Sequence, residues 1–444
     1  MNNFKVPPPT KKVDIPEQEL TERDKPAFVH LNVSSRGELK PINTYDNLLA
    51  LGDFYNLEFR LNSMTYEPEV LSNKTANTVA QTSDQIHSML VSMCNIHGLP
   101  AKTIDDHLKA ICEKNTYHPV ARWLDSGSWD GEPRLDRILA VLKTKDDVLT
   151  QQAFKHWLVG CVASLYEASF KSKLVPVLQG PQSFRKTAFI ERIAKVCPFS
   201  FLEGAELNPD NKDSLLSCIR SWIVELGELE RTNRNSQGSL KAFITRDCDT
   251  VRPPYARGDI KKPRQTHFFA TVNGRDFLKD ETGSSRFVVV EMLEPVDMDS
   301  LNEILGWSYS SSGRIELKKP ELLKQFWLEV KQLYLNGFGW MLPDCLIAKA
   351  QLNNKPFSDK SNWYQYILEK YVTSSSDNTL WLTAAELIDK DRQMNGVNSR
   401  QIGKALTQLA EDGLIQCREE RSRVKRYLIP IPVPKFPPPP ILNV

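Results

Sequence analysis

The chain has 444 residues, 41% of them hydrophobic and 25% charged, with a formal net charge of +2. Such a length predicts two to four domains, and so even a charge balance excludes a globally basic nucleic-acid binder, leaving any such surface to be local. No apolar run reaches the roughly 20 residues that span a bilayer, the N-terminal MNNFKVPPPTKKVDIPEQEL has no apolar signal core, and eight scattered cysteines without a C-x-x-C pair predict reduced thiols in a cytoplasmic protein with no zinc and no membrane partner.

Residues 1–45 are rich in Pro, Lys, Glu and Asn and read as a flexible or loosely docked arm. Residues 46–170 read as a helical N-terminal or collar domain. Its helices are SDQIHSMLVSMCNIHG (83–98), ending at Gly98; TIDDHLKAICEKN (103–115), opening on a Thr103/Asp106 capping-box pattern; and residues 148–168. After residue 170 the period changes. Buried strands at 174–180, 221–229, 265–273 and 285–292, with a helix at 187–196, predict an α/β layer with a mainly parallel sheet over 171–345. Residues 320–340 return to amphipathic helix. Within 346–430, the polar TSSSDN (373–378) precedes helices at 383–391 and 398–413 and a β-wing at 415–430, the pattern of a small winged helix-turn-helix. The proline-dense tail, 431–444, reads as extended.

The stretch GPQSFRKT (Gly180, Pro181, Gln182, Ser183, Phe184, Arg185, Lys186, Thr187) follows a predicted strand and opens a predicted helix. It matches G-x-x-x-x-G-K-[ST] except that Arg185 stands at the second glycine. Loop N–H groups and the helix N-terminus would hold the phosphates of ATP, Lys186 would reach the β/γ-phosphates, and Thr187 would offer its hydroxyl to Mg²⁺. The plain alternative is a lone Lys-Thr beside a turn. The run Trp222-Ile223-Val224 ends at Glu225, with Glu228 three residues on. An ATPase needs one strand-end carboxylate for Mg²⁺ and another to position water; otherwise these are two solvated glutamates. Asn273 ends the third strand, where it would contact the γ-phosphate or merely close a turn. Arg286 starts the fourth, either as an arginine finger toward a neighbouring subunit or as an ordinary surface residue.

The runs KDSLLSCIRSWIVELGELE, LKAFITRDCDTVRPPYARGDIKKPRQTHFFATVN and FLKDETGSSRF, with the lead-in NTYHPVARWLDSGSWDGEPRLDRIL (115–139), resemble the virulence-associated protein E family over roughly residues 80 to 295. That family is similar to the superfamily 3 helicases, ring-forming AAA+ ATPases of phages, satellites and mobile islands. The resemblance implies an ATP-dependent DNA helicase or replication initiator that translocates on single-stranded DNA as a homo-hexamer or similar ring. It implies a Walker A at Gly180 to Thr187, a Walker B at Glu225 and Glu228, a sensor at Asn273 and a finger at Arg286. The chain departs from the family at Arg185, where glycine is usual, and at Ser285-Arg286, where two arginines are usual. If the loop needs a positive φ, Arg185 costs ~1–2 kcal/mol there. The site then either works with a remodelled turn, or belongs to a DNA-binding or assembly protein with a degenerate, non-hydrolysing site.

Two basic segments supply candidate DNA contacts. Residues 246–264 hold six Lys/Arg against three Asp, with Pro253, Pro254 and Gly258 marking a hairpin or projecting loop. In superfamily 3 rings a hairpin from this region grips DNA in the channel. Arg252, Arg257, Lys261 and Lys262 would meet the backbone, Tyr255 would stack, and Lys241 is a further candidate. In the winged unit, Arg400 and Lys404 on the second helix and Arg421, Arg423, Lys425 and Arg426 on the wing would meet duplex DNA, unless the unit is a protein-protein module.

Overall fold

The computed structural model describes residues 25–72, 82–207, 211–227, 242–251, 259–275, 277–278, 286–357, 361–373, 378–420 and 424–431. It begins with an antiparallel hairpin, β1 (Leu31–Val33) with β2 (Leu39–Pro41). Then come α1 (Tyr45–Phe54), β3 (Leu57–Asn62), β4 (Glu67–Ser72), α2 (Ser83–Ile96), α3 (Lys102–Glu113) and β5 (Thr116–Tyr117). Thr82 and Gln85 form a capping box at the start of α2. The helices pack Leu48, Leu51, Leu90 and Ile104 against Leu61 of a sheet ordered β4-β3-β5. This corrects the wholly helical reading of the region. Leu57, Phe59 and Leu61 alternate with Glu58, Arg60 and Asn62, a period of two that builds a strand. The arm reading also gives way over residues 25–45. Buried Asn47 accepts from the N–H groups of Val29 and His30 (2.9 and 3.0 Å) and donates to the carbonyls of His30 and Ile42 (2.7 and 2.9 Å). Residues 1–24 lie outside the described residues.

The WDGEPRL lead-in forms a clamp between α4 (Pro119–Asp125) and α5 (Leu135–Leu139). Arg134, 3% exposed, pairs with Asp130 at 2.8 Å and Glu132 at 2.9 Å, while Glu329 accepts from the N–H groups of Arg134 and Leu135. α6 (Asp147–Tyr166), capped by Asp146, is buried around most of its circumference. Within it Trp157 donates to the Phe268 carbonyl, and the Cys161 carbonyl accepts from Trp222.

The central sheet follows: β6 (Val175–Gln179), α7 (Lys186–Ala194), β7 (Phe201–Leu202), α8 (Lys212–Ile219), β8 (Ile223–Gly227), the hairpin β9 (Cys248–Val251) and β10 (Ile260–Pro263), then β11 (His267–Val272) and β12 (Phe287–Glu291). Five strands pair in the order β12-β6-β11-β8-β7, every neighbour parallel. Their side chains alternate between two cores. Ile223, Phe269, Val288 and Val290 face one; Val175, Val177, Val224, Phe268 and Val289 face the other. Two buried faces explain the near-continuous apolar runs in the sequence. α9 (Met298–Leu305), a β13 (Trp307–Tyr309) and β14 (Ile315–Leu317) hairpin, α10 (Pro320–Leu335) and α11 (Asp344–Asn354) complete this body. Asn354 covers the edge strand β12, donating to the Phe287 carbonyl and accepting from the Val289 N–H.

The last unit runs α12 (Asn362–Ile367), β15 (Thr379–Leu382), α13 (Ala384–Lys390), α14 (Ser399–Glu411), β16 (Gln416–Glu419) and β17 (Lys425–Pro430). Its antiparallel sheet is ordered β15-β17-β16 around a core that includes Leu387, Ile402, Leu406 and Ile429. Among the described residues no helix is long and apolar enough to cross a membrane.

Candidate nucleotide site and nucleic-acid surfaces

In a parallel sheet all carboxyl ends share one edge, and ligands bind there. Gly180 to Thr187 leave that edge from β6 and enter α7. Gly180 is tightly enclosed: a Cβ there would stand 3.0 Å from the Phe184 ring and 3.3 Å from Met292 Cβ. Phe184 packs on the core, and its carbonyl accepts from the Val296 N–H at 3.1 Å, which fixes the loop's outer turn. Ser183 and Arg185 both take positive φ, 72° and 61°. Arg185 is the N-cap of α7 with ψ 31°, and its side chain makes no capping hydrogen bond among the described residues, so the first N–H groups of the helix face the loop.

Lys186 is 7% exposed, and its ammonium donates to the carbonyls of Gly180 (2.8 Å) and Pro181 (2.9 Å) and to Asn273 Oδ1 (2.9 Å). Burial pushes its pKa below the ordinary lysine range, while the charge of Glu225 opposes that shift. Thr187 Oγ1 donates to Glu225 Oε1 at 2.5 Å, Thr271 Oγ1 donates to the same oxygen at 2.8 Å, and the Gly204 N–H reaches Glu225 Oε2 at 3.3 Å. Gly227 lets that segment approach, since a Cβ there would lie 2.9 Å from Gly204 Cα. Glu225 itself is 2% exposed. The structure thus brings the loop, Lys186, Thr187, Glu225 and Asn273 into one contact network. A hydroxyl beside a carboxylate is a donor set that suits a hard divalent cation. Sequence reasoning missed Thr271, although it lies two residues before Asn273, the spacing that puts two side chains on one face.

Arg286 lies elsewhere. It precedes β12, and its carbonyl accepts from the Val175 N–H at the start of β6, so it occupies the amino edge of the sheet. Glu228, Lys241, Arg252, Tyr255, Arg257, Arg421 and Arg423 lie outside the described residues. The hairpin expected within 246–264 is present as β9 and β10, and Lys261 is exposed on it. Lys262 is corrected as a DNA contact. It is 5% exposed, and its ammonium is bound by the carbonyls of Met64 and Ile219. Burial pushes its pKa down to about 7 against the pull of Asp249. In the last unit Arg400, Lys404 and Lys425 are exposed. Arg426 is corrected as a free wing cation, being held by Glu386 at 2.9 Å and Glu420 at 2.8 Å.

The fold and site define a mixed α/β protein built on a five-stranded parallel sheet, with a lysine, a hydroxyl, a carboxylate and an amide joined at its carboxyl edge. The model of the virulence-associated protein E-like domain matches residues 124–357, more than half of the chain, and the chain belongs to that family. No curated protein matches it. Among solved structures it is similar to the apo structure of the NrS-1 C-terminal region (305-718), at 13% identity and TM-score 0.43, covering 87% of this chain and 98% of that one. Two A-form apo structures of the same region give 13% and 12% identity, each with TM-score 0.42 and the same coverage.

Proposed function

We propose that this chain is an ATP-driven DNA helicase or replication initiator of a mobile genetic element, an AAA+ motor of superfamily 3 type working as a ring in the cytoplasm. The observation that carries this reading is the paired contact of Lys186 with Asn273 and of Thr187 with Glu225. Residues 46–170 act as a collar, 171–345 as the motor and 346–430 as a winged helix. The loop N–H groups and Lys186 bind the triphosphate, and Asn273 orients its terminal end. Thr187 and Glu225 would hold Mg²⁺, which supplies neutralising charge for the phosphates. Glu225 is already oriented by Thr271 and Gly204, so little reorganisation accompanies binding.

Arg286 serves a neighbouring subunit. The five residues of β12 separate it from the loop edge, a span of ~16 Å at about 3.3 Å per residue, too far for action on its own site. The hairpin carrying Lys261 grips single-stranded DNA, and α14, whose Ile402, Ala405, Leu406 and Leu409 are buried, presents Arg400 and Lys404 to a duplex. ATP hydrolysis by the full chain, with and without single-stranded DNA, tests the reading. Wild type is expected to hydrolyse and to be stimulated by DNA, while folded Lys186→Ala is inactive. Equal activity in the two proteins would sink the motor assignment, and no hydrolysis in either would favour the degenerate-site protein.

A further inference from the structure

Glu291 ends β12 at the same edge as the phosphate loop, paired in register with Gln179, the last residue of β6. Its side chain is 15% exposed, yet two largely solvated cations converge on it: Arg275 at 2.7 Å, 63% exposed, and Lys145 at 3.1 Å, 66% exposed. Arg275 stands two residues past Asn273, beyond the end of β11, and β11 and β12 flank β6 on opposite sides. With strands about 4.8 Å apart, the Arg275–Glu291 pair spans roughly 10 Å over the end of the strand from which the loop departs. Gln179 Nε2 closes the same gap, donating to the carbonyls of Asn273 and Gly274, each at 3.4 Å.

One carboxylate therefore holds two cations, and one of them is tied through two residues of backbone to the amide that contacts Lys186. Solvent screens the exposed pair with Glu291. A guanidinium meeting a phosphate in the forked geometry forms a stronger, charge-assisted contact. Lys145 can keep Glu291 neutralised if Arg275 leaves.

We propose that Arg275 is a further nucleotide-contacting residue acting within its own subunit, held in reserve on Glu291 and transferring to the phosphates of ATP bound at Gly180 to Thr187. This rests on the nucleotide reading above. The test is titration of the full chain with a fluorescent ATP analogue and its ADP counterpart, with magnesium and at fixed salt. Arg275→Ala is expected to weaken triphosphate binding about tenfold, or ~1.4 kcal/mol, and Arg275→Lys to recover part of the loss. Glu291→Gln breaks the same ion pair but leaves the cation, and is expected to bind as tightly as wild type or more tightly. If Arg275 only braced the edge of the sheet, Arg275→Ala and Glu291→Gln would weaken binding alike, and that result overturns the inference. Wild-type binding by Arg275→Ala overturns it too, leaving the site reading intact. A wild type that binds neither nucleotide removes both.

Discussion

Arg185 sits in the left-handed region, φ 61° and ψ 31°, between Phe184, which the core anchors, and Lys186, whose three donors all have acceptors. A side chain other than glycine costs ~1–2 kcal/mol in this conformation. Glycine would remove that strain but would also loosen the unfolded chain by a comparable amount. Arg185→Gly is therefore expected to change stability by less than ~1 kcal/mol in denaturant unfolding. It is also expected to leave ATP turnover no faster, because Lys186, Thr187, Glu225 and Asn273 already stand in contact. A tenfold rise in kcat, ~1.4 kcal/mol of barrier, would show that the arginine damages the loop. Lys186 and Thr187 were legible because they open a helix after a strand, Asn273 because it follows the end of one, and Glu225 because it closes the apolar run Trp222-Ile223-Val224, although β8 continues past it to Gly227. Thr271 was readable by its period of two from Asn273. The Arg275–Glu291 pair was not, since it joins strands whose adjacency depends on the order β12-β6-β11.

At the scale of the element, β10 shows what a count of charges leaves out. Lys261 and Lys262 are neighbours in sequence, but a strand sends them to opposite faces, one to solvent and one into the joint between Met64 and Ile219. Two opposite outcomes are expected. Lys261→Ala should weaken single-strand binding and lower its salt slope by ~0.7, with an unchanged melting temperature. Lys262→Ala should strand two buried carbonyls and destabilise the protein by about 2–4 kcal/mol, measured by chemical denaturation. Equal losses of DNA affinity at constant stability would mean that both lysines reach the nucleic acid. The strands of residues 57–72 were missed for a related reason: the flanking helical patterns are longer, and Leu57, Phe59 and Leu61 give only a short alternation. The helices and wing of the last unit were plainer, because caps such as the Thr383–Glu386 box mark their starts.

Across the whole molecule, the N-terminal part and the central sheet are joined through buried polar contacts. Beside Lys262 lies His118, 8% exposed, with neither ring nitrogen partnered among the described residues; farther along, His267 bonds Ser164. Burial pushes both imidazoles down to about 3, with Lys262 adding to the effect at His118 and Arg264 at His267. As pH falls through ~6.5 the unfolded chain takes up protons at these positions and the folded chain does not, so folding stability is lost from there toward pH 3. Between pH 6.5 and 5 each site removes about 2 kcal/mol. His118→Leu should flatten that slope in melts across the range, and an unchanged slope would mean that His118 protonates within the fold.

At the largest scale, that of the assembly, the proposed ring would complete the site of one subunit with a residue of the next. Lys186 stands at the carboxyl edge of the sheet and Arg286 at the amino edge. In a head-to-tail ring each junction then pairs one subunit's Lys186 with the neighbour's Arg286. The direct measurement is ATP hydrolysis by Lys186→Ala, by Arg286→Ala, and by an equal mixture in rings shown to exchange subunits. Each variant alone is expected to be nearly inactive, Arg286→Ala still binding ATP. The mixture is expected to recover activity, because about a quarter of its junctions join an intact lysine to an intact arginine. A mixture as inactive as its components would contradict a shared site.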